Sequence, residues 1–225
     1  MTSPYADAPN PDKVALLRTG AHVRRRLDGD PRAQRIETDR AEIWGVPDFL
    51  TAEECDALIA MIDRTAVPSK VLDHGTNEIW RTSSSGDVDR YDPFVHTLES
   101  RIDEMLGIPH PWGETMQGQR YQVGQEFKYH LDLFWTKSDY WKEETRRGGQ
   151  RAITAMCYLN DVEEGGATAF TNIGIAVAPQ RGTLLVWNNS LPDGRPNEDT
   201  MHAGTPVVKG TKYVITKWYR TRKWG

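Results

Sequence analysis

From residue 117 onward the chain changes period. Residues 117–132, 150–160, 175–179, 183–187 and 212–220 are short runs rich in β-branched and aromatic side chains, separated by glycine and asparagine turns. Everything upstream with a clear apolar period reads instead as helix. Helices first and short strands afterwards predict an α+β fold, a β-sandwich or jelly roll with helices packed on one side.

The helical half can be placed more closely. Val14, Leu16, Leu17, Val23 and Leu27 recur at loosely helical spacing, weakened by Gly20, and the arginines 24–26 that follow read as a solvated face. Residues 41–46 read as a short strand broken by Pro47-Asp48. Thr51-Ala52-Glu53-Glu54 is a capping box, in which the hydroxyl and the carboxylate three residues on satisfy free amides, and Cys55, Leu58, Ile59 and Ile62 carry the helix onward. Residues 81–86, Arg-Thr-Ser-Ser-Ser-Gly, read as turn chemistry. A second long helix follows with Phe94, Val95, Leu98, Ile102 and Leu106, and Gly107 is its stop. Residues 1–40 are therefore expected to form a helical and tail segment, and residues 41–225 a single domain.

With 225 residues the chain can bury one sizeable core. A formal charge of −4 gives no reason to expect nucleic acid or an anionic membrane as partner, and no apolar run approaches the roughly 18 residues that span a bilayer. The first ten residues lack the basic start and apolar middle of a secretory signal, so a cytoplasmic location is expected. Cys55 and Cys157 have neither metal-ligand spacing nor a disulfide framework and read as buried thiols.

His130-Leu131-Asp132 carries the chemistry. On an extended segment, side chains two residues apart share a face, so the imidazole and the carboxylate point the same way. His202, far downstream, is the best candidate for a third ligand. Two imidazoles and a carboxylate on one face of an octahedral ion leave the opposite positions open, as in oxygenases that hold non-haem Fe(II). The other histidines, His22, His74, His96 and His110, read as ordinary hydrogen-bonded imidazoles.

Around these residues stand Arg120-Tyr121-Gln122-Val123-Gly124-Gln125, Tyr158-Leu159-Asn160-Asp161-Val162, Gly165-Gly166-Ala167-Thr168-Ala169-Phe170, His202-Ala203-Gly204-Thr205-Pro206-Val207 and the run from Lys212 to Trp218. In this order they resemble the catalytic domain of prolyl 4-hydroxylases, which are 2-oxoglutarate- and Fe(II)-dependent dioxygenases. The resemblance covers about residues 40–222 and implies a double-stranded β-helix, a squashed jelly-roll barrel with iron at its mouth. It implies His130, Asp132 and His202 as catalytic iron ligands. Lys212 is implied as the cation for the distal carboxylate of 2-oxoglutarate, Tyr121 and Thr168 as hydroxyls that help hold it, and Trp218 as packing beside it. Arg81 matches an arginine near the peptide groove. Tyr158 and Asn160 are expected to shape the barrel wall.

Ala167 stands where the family commonly has glutamate, and a charged insertion, residues 133–149, follows Asp132. Its length and position suggest a lid or substrate-contacting loop, with Trp135, Arg146 and Arg147 as candidate contacts. The implied reaction decarboxylates 2-oxoglutarate to succinate and CO2 and uses O2 to hydroxylate a prolyl residue of a peptide or protein, with ascorbate as reductant. Three alternatives remain open at this point. They are the same chemistry on a free amino acid or other small molecule, a 2-oxoglutarate or O2 sensor without turnover, and a zinc hydrolase.

Overall fold

In a computed structural model, residues 10–69 and 81–225 are described; His74 lies outside them. The chain opens with helix α1, Lys13–Asp28, then strands β1, Gln34–Arg35, and β2, Ile43–Val46. Helix α2, Ala52–Thr65, begins at the expected capping box: Thr51 accepts from the Glu54 amide at 3.2 Å, and Glu54 accepts from the Thr51 amide at 2.9 Å. Strands β3, Val67–Pro68, and β4, Ser84–Asp87, follow, then helix α3, Pro93–Leu106. The Asp92 carboxylate caps α3, and Gly107 ends it in the left-handed region at φ 66°, where a side chain would be strained.

The strand-rich half comprises β5, Gln117–Tyr121; β6, Phe127–His130; the single-turn α4, Trp141–Glu144; β7, Arg151–Tyr158; β8, Glu164–Gly165; β9, Thr168–Phe170; and β10, Ile175–Val177. It ends with β11, Leu184–Asn188; β12, His202–Gly204; β13, Val207–Lys209; and β14, Lys212–Arg220. Among the described residues the major sheet runs β1-β2-β11-β7-β14-β5-β4-β3, and a minor sheet runs β10-β9-β12-β6. Their strand pairs are antiparallel. The two sheets face one another as the expected jelly roll.

The central strands of the major sheet are buried on both faces, and alternation assigns each residue a job. In β7, Ile153, Ala155 and Cys157 join the core beneath the helices, whereas Met156 and Tyr158 join a second core between the sheets. The same alternation in β11 sends Val186 to the helices and Leu185 and Trp187 inward. Helix α1 packs on β7 and α3, with Leu16, Val23 and Leu27 fully buried in the helix-side core. Gly20 is tolerated within α1 because a Cβ there would lie 2.3 Å from the Asn188 amide nitrogen. Both cysteines are free and buried, as expected.

Two expectations need correction. The polar stretch around Ser84 is more than a turn, because Ser84–Asp87 pairs along β5 as a strand of the major sheet. Helix α2 lies so close that a Cβ on Gly86 would come within 2.6 Å of the Ile62 carbonyl oxygen. On Gly118 it would come within 2.4 Å of the Ile62 side chain. This strand is built from small residues that fit under a helix, so it shows no apolar alternation. The arginines of α1 also do more than meet solvent: Arg24 pairs with the buried Glu42, and Arg26 donates to the Met105 and Glu104 carbonyls at the end of α3. No described helix is long and apolar enough to cross a membrane.

Candidate active site

The space between the sheets holds a cleft that is open to solvent at one end. Register puts the metal-type residues into it. His202 on β12 lies directly opposite His130 on β6, and their rings are 4.3 Å apart. Asp132 follows β6 by two residues. One ligand atom from each of His130, Asp132 and His202 lies within 4.8 Å of the others, close enough to share one ion. Among the described residues this is the one such group.

Each of these side chains is oriented by a partner that leaves its ligating atom free. The His130 Nδ1 donates to the Lys128 carbonyl at 2.8 Å, and the His202 Nδ1 donates to the Thr200 carbonyl at 3.0 Å. A carbonyl can only accept, so each Nδ1 carries the proton and each Nε2 offers its lone pair. Burial first, and the neighbouring His202 second, push His130 down to about 3, so it is neutral as ligation requires. Burial works against ionisation of Asp132, but His202, His130, Arg151 and the Thr154 hydroxyl outweigh it and hold the carboxyl below its usual range. The Thr154 hydroxyl donates to Asp132 Oδ2 at 2.6 Å.

Deeper in the cleft, β14 shows the alternation most plainly. Lys212, Val214, Thr216 and Trp218 line the cleft, while Tyr213 and Lys217 turn to the carboxylates of α2 and α3. Lys212 is 2 % exposed, and burial alone pushes its ammonium down to about 7. Its nitrogen lies 5.3 Å from the centre of the Tyr121 ring and 5.5 Å from that of Tyr158; among the described residues no carboxylate pairs with it. Tyr121 and Thr168 also line the cleft. Tyr121 donates to Gln119 at 3.0 Å, and Tyr158 donates to the Thr168 hydroxyl at 2.7 Å, so Tyr158 supports the wall from behind.

The donor set suits a ferrous ion with open coordination positions. The buried Lys212 ammonium suits the far carboxylate of a keto-diacid, because among the described residues it has no counter-charge of its own. The buried indole N–H groups of Trp187 and Trp218, both on the cleft wall, also have no protein acceptor among the described residues. Iron and 2-oxoglutarate thus fit what the residues offer.

The structure brings together all seven residues assigned to metal and cosubstrate. The four substrate candidates lie elsewhere. Arg81 is buried beside the metal residues and does not line the cleft: its guanidinium stacks over Phe127 at 4.9 Å, Phe127 stacks on His130 at 3.7 Å, and Nε donates to Ser83 at 2.7 Å. Trp135, Arg146 and Arg147 belong to the insertion and do not line the cleft; Arg147 faces Glu143 at 3.8 Å and the Trp224 ring. Sequence reasoning missed Gln119, Met156, Trp187, Val214 and Thr216 on the cleft wall. Period two was the available signal: stepping by two from Tyr121, Lys212 or Tyr158 along its own strand reaches four of them.

The comparisons with known proteins agree with this geometry. Residues 116–220 match the model of the 2OG-Fe(II) oxygenase superfamily. The chain is 34% identical over 200 residues to a probable prolyl 4-hydroxylase 8 of Arabidopsis thaliana, covering 78% of this chain and 67% of that protein. It is 35% identical over 199 residues to prolyl 4-hydroxylase 5 of the same plant, with the same coverage. Among solved structures, the viral collagen prolyl hydroxylase of Paramecium Bursaria Chlorella virus-1, in its 2OG complex, superposes with a TM-score of 0.61 at 26% identity. That match covers 86% of this chain and 98% of the viral one. A His-Asp-His group at facing strands, a buried lysine in the same cleft and these relatives point one way: the chain belongs to the prolyl 4-hydroxylase family of 2-oxoglutarate- and Fe(II)-dependent dioxygenases.

Proposed function

We propose that this protein hydroxylates a prolyl residue in a peptide or protein, using Fe(II), 2-oxoglutarate and O2, with His130, Asp132 and His202 as the iron ligands. The observation that carries the reading is that three ligand atoms within 4.8 Å of one another share a cleft with a buried lysine that has no carboxylate partner among the described residues. When bound, iron and 2-oxoglutarate supply the oxidising chemistry, which releases succinate and CO2 and places one oxygen atom of O2 on the substrate.

The chain's own residues supply position and surroundings. Lys212 holds the far carboxylate of 2-oxoglutarate, and the Tyr121 and Thr168 hydroxyls lie on the same stretch of wall. Tyr158 holds the Thr168 hydroxyl in place at 2.7 Å, with the Val177 carbonyl 3.2 Å from the same phenol oxygen. Phe170 and Trp187 pack at 5.7 and 4.8 Å from the His202 ring and keep water from that side. The backbone carbonyls of Lys128 and Thr200 keep both imidazoles in the ligating tautomer throughout. Ascorbate is the reductant expected to restore iron oxidised in idle turnovers.

Succinate release measured with Fe(II), 2-oxoglutarate, O2 and a library of proline-containing peptides tests the reading, with free proline as the comparison. Peptide-dependent succinate and a mass gain of one oxygen on proline are expected. His130→Ala and Asp132→Ala should bring turnover to background while the far-UV circular dichroism stays native. Succinate formed with free proline but with no peptide would shift the reading to a small-molecule hydroxylase.

A further inference from the structure

Asp132 is the one carboxylate among the proposed ligands, and a carboxylate can present one oxygen or two to a metal. One of its oxygens is already committed. Thr154, 0 % exposed on the inward face of β7, donates its only hydroxyl hydrogen to Oδ2. A threonine hydroxyl rotates, so something must hold that hydrogen in place. Asn189 does so: its amide nitrogen donates to the Thr154 oxygen at 3.0 Å and lies 3.4 Å from the Arg151 carbonyl.

The carbonyl of Arg151 can only accept, which orients the Asn189 amide with its nitrogen inward. The Thr154 oxygen then receives a hydrogen from Asn189, and its own hydrogen has Asp132 left as acceptor. Asn189 is itself 1 % exposed, and its backbone is fixed on both sides, N–H to the Ala152 carbonyl at 2.9 Å and carbonyl to the Asn197 amide at 3.1 Å. Its neighbour Asn188 faces the other way, donating to Glu42 at 2.8 Å under α1.

From this relay we infer that Asn189 is a positioning residue for the metal. Acting through Thr154, it holds Asp132 with Oδ2 engaged and Oδ1 presented to the ion. Groups behind a metal ligand typically change metal affinity by about 10- to 100-fold. The inference rests on the iron-site reading above, and metal binding by the unaltered protein tests that reading separately.

The experiment is a titration of the metal-free protein with Co(II), followed through its visible absorption, for the unaltered protein, Thr154→Ser, Thr154→Val, Asn189→Leu and the double variant Thr154→Val/Asn189→Leu. Thr154→Val should weaken Co(II) by about tenfold or more, and Thr154→Ser should retain binding. Asn189→Leu should weaken Co(II) severalfold in the natural background and have no further effect once Thr154 is valine. The Kd for 2-oxoglutarate at saturating Co(II) should stay unchanged. Unaltered Co(II) affinity in folded Asn189→Leu, or an effect that persists in the Thr154→Val background, would overturn the inference. If Asn189→Leu does not fold, Asn189→Asp takes its place. An aspartate there would draw the Thr154 hydrogen away from Asp132 and weaken Co(II), whereas tighter Co(II) would overturn the relay. Failure of the unaltered protein to bind Co(II) removes the iron-site reading, and the inference with it.

Discussion

At Lys212 the burial that strips water from an ammonium also makes it responsive to its ligand. Its affinity for protons is depressed to about 7 when the protein alone surrounds it, and a bound carboxylate raises it again. The complex therefore keeps a proton to higher pH than the free protein does. The Kd for 2-oxoglutarate should be flat below pH 7 and weaken toward about tenfold per unit above it, which calorimetry across pH 6 to 9 would show. Folding without ligand runs the opposite way. The unfolded chain holds this proton up to its ordinary value near 10.5, so the contribution of Lys212 makes the folded state more stable as pH rises through that window. Lys212→Ala removes the counter-charge and should raise the 2-oxoglutarate KM by roughly one to two decades, if about 1.5–3 kcal/mol is lost. At this scale the sequence was informative wherever a residue belonged to a motif, as with His130, Asp132, His202 and Lys212. It was silent on Asn189, because one asparagine in Asn188-Asn189-Ser190 looks like turn material until its partners across β7 are known.

Among the elements, long ones were legible and two- or three-residue ones were not. The helices carry enough turns to show their period, and β14 begins and ends where its alternation does. Strands β8, β9, β12 and β13 are too short for any period to appear, and each exists because a neighbour supplies hydrogen bonds, as β12 does between β6 and β9. The insertion after Asp132 shows the opposite limit, since its length and position suggested a lid or substrate-contacting loop and gave no sign of how it is anchored. In the structure Arg220, 1 % exposed, donates to Glu114 at 2.9 Å and to Glu144 of α4 at 2.7 Å, with its guanidinium over the Phe134 ring. Gln150 holds both backbone groups of Phe134, at 2.9 and 2.7 Å. Arg220→Met would leave Glu144 without its cation and Glu114 with Arg151 alone, and a loss of about 1–3 kcal/mol in urea unfolding is expected. The same variant should expose Arg146 and Arg147 to limited trypsin digestion.

Over the whole molecule, two cores divide the work. The helix-side core carries α1, α2 and α3 on the outer face of the major sheet, while the core between the sheets supports the cleft. Metal and cosubstrate bind on the second side, so chelation should leave the helical circular dichroism unchanged. A ligand that binds only the folded chain adds about 2.7 kcal/mol at one hundred times its Kd. Co(II) with 2-oxoglutarate should therefore raise the midpoint of thermal unfolding, and His130→Ala should abolish that rise. The overall architecture was readable from the order of helices and strands, but the pairing of His202 with His130 was not, since register across distant segments has no local signature. That pairing has a mechanical side. Strand β6 is an edge strand of the minor sheet and only four residues long, and an ion shared by His130, Asp132 and His202 would rivet it to its neighbour. Loading the site would then also seal a seam at which a stray strand could otherwise dock.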